Sequence, residues 1–413
     1  MERPFKQSRF VTFDLLLVLV LLLVGGAVLI PWGFADREDP EDEVEIYHPG
    51  RIMVEFQTER EPEDIIKAWG GSIEEAWPAI DRYLVRMPVG IATSQALESL
   101  LAMGGIRQVE PDFLGASAPE PTPARTGGRW GLDRIQAPSA WEISRGDPRV
   151  IIAVMDTGID TQHPKIIDRV IGGYSPLVDE EEVPIPFHDD HGRGTHLAAV
   201  AAGGGTERMR GIAPKASFIG VKTHDSEARH YRADLISGLL WLSDWARSHP
   251  EWRVIAVMDG GWRFYSSFLE EAVDYALDSG ILLVAGSGDL GLEEEIFPAS
   301  LPGVLTVAAT CPGDQLCDFS NWGQWVDLAA PGKDVFSAVT GGGYGYWDGT
   351  AVAAAYTAGV AALLWAEKPD LNSEEIKDIL KQSSRPIPDL KEKISGGLLD
   401  AGAALKKMKE NQD

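Results

Sequence analysis

Apolar and polar residues change rhythm three times along this chain of 413 residues. Arg3, Lys6 and Arg9 lead into a span from Phe10 to Phe34 in which residues 15–30 carry no charge. Roughly 20 apolar residues suffice for a helix to cross a bilayer. Basic residues before the span and acidic ones after it place residues 1–10 in the cytoplasm and the bulk of the chain outside. Gly33-Phe34-Ala35 after Pro31 also fits a cleaved secretory signal. Both readings export the protein, and the length of the run favours an uncleaved single-pass anchor over residues 11–34.

A second rhythm occupies residues 48–113. Residues 51–56 alternate as a strand does, 62–69 suit a short helix, and 82–87 form another strand. An amphipathic helix over 94–103 and a strand over 106–109 complete a small α+β domain with its helices on one sheet face. Residues 35–47 and 114–129 read as linkers, the first acidic, the second rich in Pro119, Pro121, Pro123 and Gly127-Gly128.

The third rhythm runs over residues 130–413. The uncharged run 150–155 is the signature of a strand buried on both faces of a parallel sheet. Helices are expected at 231–248, 267–279 and 373–382, and strands at 254–258, 281–285, 305–309 and 326–328. Alternation of this kind means an α/β domain, a mostly parallel sheet with helices on both faces. Residues 349–364 read as a Gly-led turn feeding an Ala-rich helix that is apolar all round, and therefore buried. Hydrolases often place a nucleophile at such a turn, because a helix N-terminus favours developing negative charge. Ala351, in that position, carries no functional group.

Composition narrows the function. A net charge of −26 argues against nucleic acid as partner and against adhesion to an anionic lipid surface. The seven carboxylates from Asp36 to Glu45, against Arg37 alone, are a solvated linker. Two cysteines exclude a disulfide-rich scaffold and a four-cysteine zinc site. Cys311 and Cys317 can close a small ring in an exported protein, with two free thiols as the alternative. Trp241, Trp245 and Trp252 read as core or interface. Tyr344, Tyr346 and Trp347 form a Gly-rich aromatic turn expected to line a cleft.

Residues from 130 onward resemble the subtilases, the subtilisin-like serine proteases. Trp130-Gly131-Leu132-Asp133-Arg134-Ile135, with Ala137 and Ala140-Trp141, looks like the start of a mature subtilase domain. Val154-Met155-Asp156-Thr157-Gly158-Ile159-Asp160, with His163-Pro164, matches the motif around the family's catalytic Asp. Gly194-Thr195-His196-Leu197-Ala198 matches the tail of its catalytic-His motif, and Ala330-Pro331-Gly332 and residues 349–364 complete the series in order. Residues 48–113 are similar to the family's inhibitory propeptide, which implies that this domain can occupy the cleft.

The resemblance also implies a degenerate site. A triad needs a nucleophile, a base and a carboxylate that orients the base. Only the carboxylate, Asp156, is kept. The base slot holds Arg193, whose guanidinium stays protonated and suits a bidentate pair with a carboxylate. The nucleophile slot holds Ala351. The oxyanion Asn is matched by Asp289 in Gly288-Asp289-Leu290-Gly291, an acceptor where a donor is needed. In subtilisin, loss of Ser or His alone costs on the order of 10⁶ in kcat. His191, His196, Thr350 and Ser287 lie off the required positions, and His196 is expected to be a packed structural residue. Subtilases also bind calcium, and the acidic groups at 179–182 and 293–295 are candidates, although they lack alternating ligand spacing and read as solvated. No other cofactor or metal is expected.

The expected function is therefore non-enzymatic: an exported, membrane-anchored pseudoprotease that binds a peptide or protein partner by strand addition. An active hydrolase with a rearranged catalytic set and a structural subunit of an envelope complex are the alternatives.

Overall fold

The computed structural model describes residues 47–410 apart from 59, 116–129, 179–182, 206–209 and 260. The expected anchor, the cytoplasmic tail, the acidic linker, the acidic group at 179–182 and nearly all of the Pro/Gly linker lie outside the described residues. Among the described residues one helix is long and apolar enough to cross a membrane, Thr350–Glu367, and 89% of its apolar window is buried inside the protein.

The small domain runs β1 (Tyr47–Phe56), α1 (Pro62–Trp69), β2 (Ser72–Trp77), β3 (Arg82–Arg86), α2 (Thr93–Ala102) and β4 (Ile106–Phe113). Its antiparallel sheet has the order β2-β3-β1-β4. Strand β2 was not expected. Ser-Ile-Glu-Glu-Ala-Trp lacks clean alternation, and the strand is set by pairing with β3. Ile52, Val54, Val85 and Leu100 close a core under the two helices. Met53, Trp77 and Leu84 point the other way, into the core of the larger unit.

In the larger unit β5 (Val150–Asp156), β6 (Val170–Tyr174), α3 (Arg193–Ala202), β7 (Ser217–Lys222), α4 (Arg232–Ser248), β8 (Arg253–Met258), α5 (Ser267–Asp278), β9 (Leu282–Gly286), β10 (Leu305–Thr310) and β11 (Leu328–Pro331) build the main sheet and its cover. The seven strands are ordered β11-β10-β9-β8-β5-β7-β6. Every pairing among them is parallel. All seven residues of β5 are buried because alternate side chains serve two cores. Val150, Ile152 and Val154 face one, and Ile151, Ala153 and Met155 face the other.

The chain then forms a hairpin of β12 (Val335–Val339) and β13 (Gly343–Trp347), followed by α6 (Thr350–Glu367), α7 (Ser373–Ser383) and α8 (Ala401–Glu410). Residues Thr350 to Trp365 of α6 are all buried, so the all-round apolar pattern is that of a central helix. The expected strand at 326–328 forms instead at Leu328–Pro331, where β10 pairs with it. The expected aromatic turn is strand β13. Trp241, Trp245 and Trp252 pack against the core beneath α4 and α5. Cys311 and Cys317 are disulfide-bonded.

Candidate functional site

Strands β9, β8, β5 and β7 are neighbours and parallel, so their C-terminal ends share one edge of the sheet. That edge is where such sheets place their sites. Each strand delivers a titratable side chain there. Asp156 ends β5, Asp259 follows Met258 of β8, His224 lies two residues past Lys222 of β7, and Asp289 three past Gly286 of β9. Helices α3 and α6 begin at the same edge, with Arg193 and Ala351 in their first turns.

The turn after β5 fixes Arg193. Thr157 Oγ1 accepts from Gly194 N at 3.0 Å and donates to Asp189 Oδ1 at 2.8 Å. Asp189 in turn accepts from Gly192 N at 2.7 Å and Thr195 N at 2.9 Å, satisfying free N–H groups of the helix start. A Cβ on Gly194 would meet Gly158 O at 2.0 Å, so only glycine allows this approach. Arg193, 2% exposed, then donates from Nε to Asp156 Oδ1 at 3.0 Å and sets Nη1 2.6 Å from Asp259 Oδ2. Burial alone would lower its pKa, but Asp156 and Asp259 raise it further above the usual arginine value. Arg193 is thus a permanent cation with no lone pair to offer.

On the opposite side of the site the neighbouring side chains are engaged locally. Ala351 is buried in the first turn of α6. Thr350 Oγ1 accepts from Gly288 N at 3.1 Å, and Ser287 Oγ donates to Asn321 O at 2.9 Å. Asp289 Oδ1 accepts from Thr350 N at 2.8 Å, so this carboxyl caps the helix start rather than facing a substrate oxygen. Burial, and then Asp259, push its pKa up to about 7.

Burial holds His196, His224 and His230 neutral. His196, fully enclosed, keeps Nε2 3.0 Å from Val335 O and has its pKa lowered to about 4. His224 and His230 lie with ring centroids 4.2 Å apart. Burial lowers His230 to about 4 and depresses His224 strongly, with His230 and Arg193 adding to the effect on His224. The expected cleft-lining trio is split. Trp347 is 1% exposed, with its ring near those of His191 and His196, and Tyr346 is also buried; Tyr344, 40% exposed, is the one that offers surface. Tyr344 and Tyr346 share one face of β13, both against Phe336, while Trp347 faces the other way, and burial deepens towards the end of the strand next to α6.

The small domain reaches this edge. Leu114 pairs antiparallel with Tyr231, and Gly115 N donates to His230 O at 2.8 Å. A Cβ at Gly115 would meet His230 Nε2 at 1.9 Å, so the segment lies directly against the imidazole. Further back, Arg51 bridges Asp112 of β4 and Asp234 of α4, and Trp77 Nε1 donates to Ser237 Oγ at 3.0 Å.

Asp156, Arg193, Ala351 and Asp289 therefore converge, whereas Tyr346 and Trp347 do not reach the surface. His224 and Asp259 escape motif reading altogether. The signal for them was positional: each follows a strand of a parallel sheet at its carboxyl end. Of the calcium candidates, Glu294 pairs with Arg263 at 2.8 Å.

The family model described as the subtilase family matches residues 147–404, and that of the fervidolysin N-terminal prodomain matches residues 35–112. The thermophilic serine proteinase of Bacillus sp. (strain AK1) is 30% identical over 346 residues, 83% of each chain. Fervidolysin of Fervidobacterium pennivorans is 29% identical over 395 residues, and the match takes in 82% of this chain but only 55% of that one. The crystal structure of fervidolysin, a keratinolytic enzyme related to subtilisin, superposes with a TM-score of 0.74 at 25% identity, over 89% of this chain and 62% of that one.

Proposed function

The chain belongs to the subtilase family, and on that premise we propose that it is a pseudoprotease, which binds peptide segments along its cleft and does not hydrolyse them. The observation that carries this reading is the Arg193 guanidinium, locked between Asp156 and Asp259 where the base of the reaction would stand. A proton must leave the nucleophile as it attacks, and a guanidinium cannot accept it. Ala351 supplies no nucleophile, and Asp289 presents an acceptor already used by Thr350 N. Strand addition to the cleft edge needs none of these groups, and the seating of Leu114 and Gly115 beside His230–Tyr231 is an example of that contact. Without self-cleavage the small domain stays covalently attached and acts as an occupant of the cleft that a partner must displace. The apolar span before residue 35 supports placement at the outer face of a cell membrane.

The relatives named above as proteinases give the competing reading, an active hydrolase. Fluorophosphonate labelling of the full chain, beside peptide and casein hydrolysis, separates the two. The expected result is no label and no product, with an intact chain after expression in a host stripped of extracellular proteases. A labelled wild-type chain, or a product beginning near Trp130, overturns the reading.

A further inference from the structure

We propose that Asp156, His224 and Asp259 form a binding site for one divalent transition-metal cation of the zinc type at the carboxyl edge of the sheet. Each comes from the end of one of three adjacent parallel strands, β5, β7 and β8, and one ligand atom of each lies within 4.8 Å of the other two. The hydrogen bonding leaves one polar atom without a partner on Asp156 and one on His224. Asp156 Oδ1 accepts from Arg193 Nε at 3.0 Å and from Thr157 N at 2.7 Å, but Oδ2 is buried with no partner. His224, 1% exposed, has Nδ1 3.0 Å from Thr223 Oγ1, and its Nε2 is buried with no partner. Asp259 places Oδ2 at Arg193 Nη1 and keeps a second oxygen.

Buried polar atoms left without a partner cost free energy, and the Arg193 guanidinium does not reach those on Asp156 and His224. One imidazole nitrogen with two carboxylate oxygens is a donor set that zinc accepts at roughly 2.0–2.2 Å. Bonds of that length bring the three atoms about 1 Å closer together than the present outer limit, a shift within reach of side-chain rotation. Arg193 and Thr223 supply the outer partners that orient metal ligands, the guanidinium holding one oxygen of each carboxylate and the hydroxyl holding the distal imidazole nitrogen. Lys222 Nζ, the other buried cation nearby, is already engaged by Asp190 Oδ1 at 2.6 Å and Thr157 O at 2.8 Å. The site does not depend on whether the chain hydrolyses peptides, since the donors exist in either case.

Equilibrium dialysis of the chelator-stripped full chain against zinc, with bound metal counted by mass spectrometry, tests it, and cobalt absorbance gives an optical readout. The expected result is one ion per chain, with His224→Gln and Asp259→Asn each weakening binding at least tenfold while His249→Gln, at the far end of α4, leaves it unchanged. Circular dichroism identifies any variant that fails to fold, in which case the other variant decides. Absence of bound zinc above background, or affinity unchanged by the folded variants, overturns the proposal.

Discussion

Two clusters of buried charge, one around Arg51 and one around Arg193, are built to different standards. At the seat of the small domain Arg51 meets Asp112 and Asp234, and every oxygen has a donor. Asp112 takes Arg51 Nε at 2.9 Å and Ala233 N at 2.9 Å, and Asp234 takes both guanidinium ends at 3.2 and 3.4 Å. At the carboxyl edge of the sheet one guanidinium faces Asp156 and Asp259, Asp289 crowds behind them, and Asp156 Oδ2 and His224 Nε2 have no partner. Both clusters are enclosed, so both feel the same penalty for an unmatched charge. A cluster satisfied in full holds structure together. One that leaves buried polar atoms without a partner departs from the stability optimum, and such departures concentrate where a protein binds something.

The contrast breaks first at Arg51. Arg51→Ala strands two buried carboxylates, a change that typically costs about 3–5 kcal/mol. The loss falls on the seating of the small domain, because Asp112 belongs to β4 and Asp234 to α4. The variant should unfold at lower denaturant in a transition that separates the two domains, and limited proteolysis should remove residues 47–113 sooner than from wild type. A single transition with an unchanged midpoint would show that the satisfied cluster contributes no more than an exposed ion pair.

How much of this was legible in the chain follows the same division. Runs with one dominant character announced themselves: 150–155 as a strand buried on both faces and 349–364 as the central helix. Ser72–Trp77 did not, because its two central glutamates hide the strand that β3 imposes. Val335–Val339 and Gly343–Trp347 were lost to the glycines between and within them, and with that hairpin went the burial of Tyr346 and Trp347. His224 and Asp259 belong to no short motif. Only the order of strands in the sheet brings them to Asp156, and that order is a property of the whole fold.

A smaller test acts on the crowding itself. Burial and Asp259 hold Asp289 near pKa 7, far above the ordinary aspartate value. Its native form therefore keeps a proton that the unfolded chain has lost above pH 4, and stability declines as pH rises towards and through 7. Asp289→Asn keeps an oxygen to accept from Thr350 N and removes the charge. The variant should gain about 1–3 kcal/mol at pH 8 and less at pH 5. An equal effect at both values would mean that the carboxylates at the carboxyl edge of the sheet are not in competition, and the contrast with Arg51 would lose its electrostatic basis.

The finest test is the acid response of His196, which lies under the same edge but outside the carboxylate cluster. Its ring is fully enclosed, Nε2 meets Val335 O, and burial lowers its pKa to about 4. Because the folded value is depressed, the unfolded chain takes up a proton below about pH 6.5 that the native chain refuses until pH 4. The stabilisation is complete above pH 6.5 and is lost as pH falls through that window, by about 1 kcal/mol at pH 5.5 for this one residue. In His196→Gln the amide can donate to Val335 O and does not titrate, so the slope of unfolding free energy against pH should drop by one proton between pH 6.5 and 4. The slope around pH 7, where Asp289 gives up its proton, should stay as in wild type. If the variant instead flattens the limb around pH 7, the two groups are coupled through Arg193 and Trp347, and the cluster extends further beneath α3 than the hydrogen bonds alone indicate.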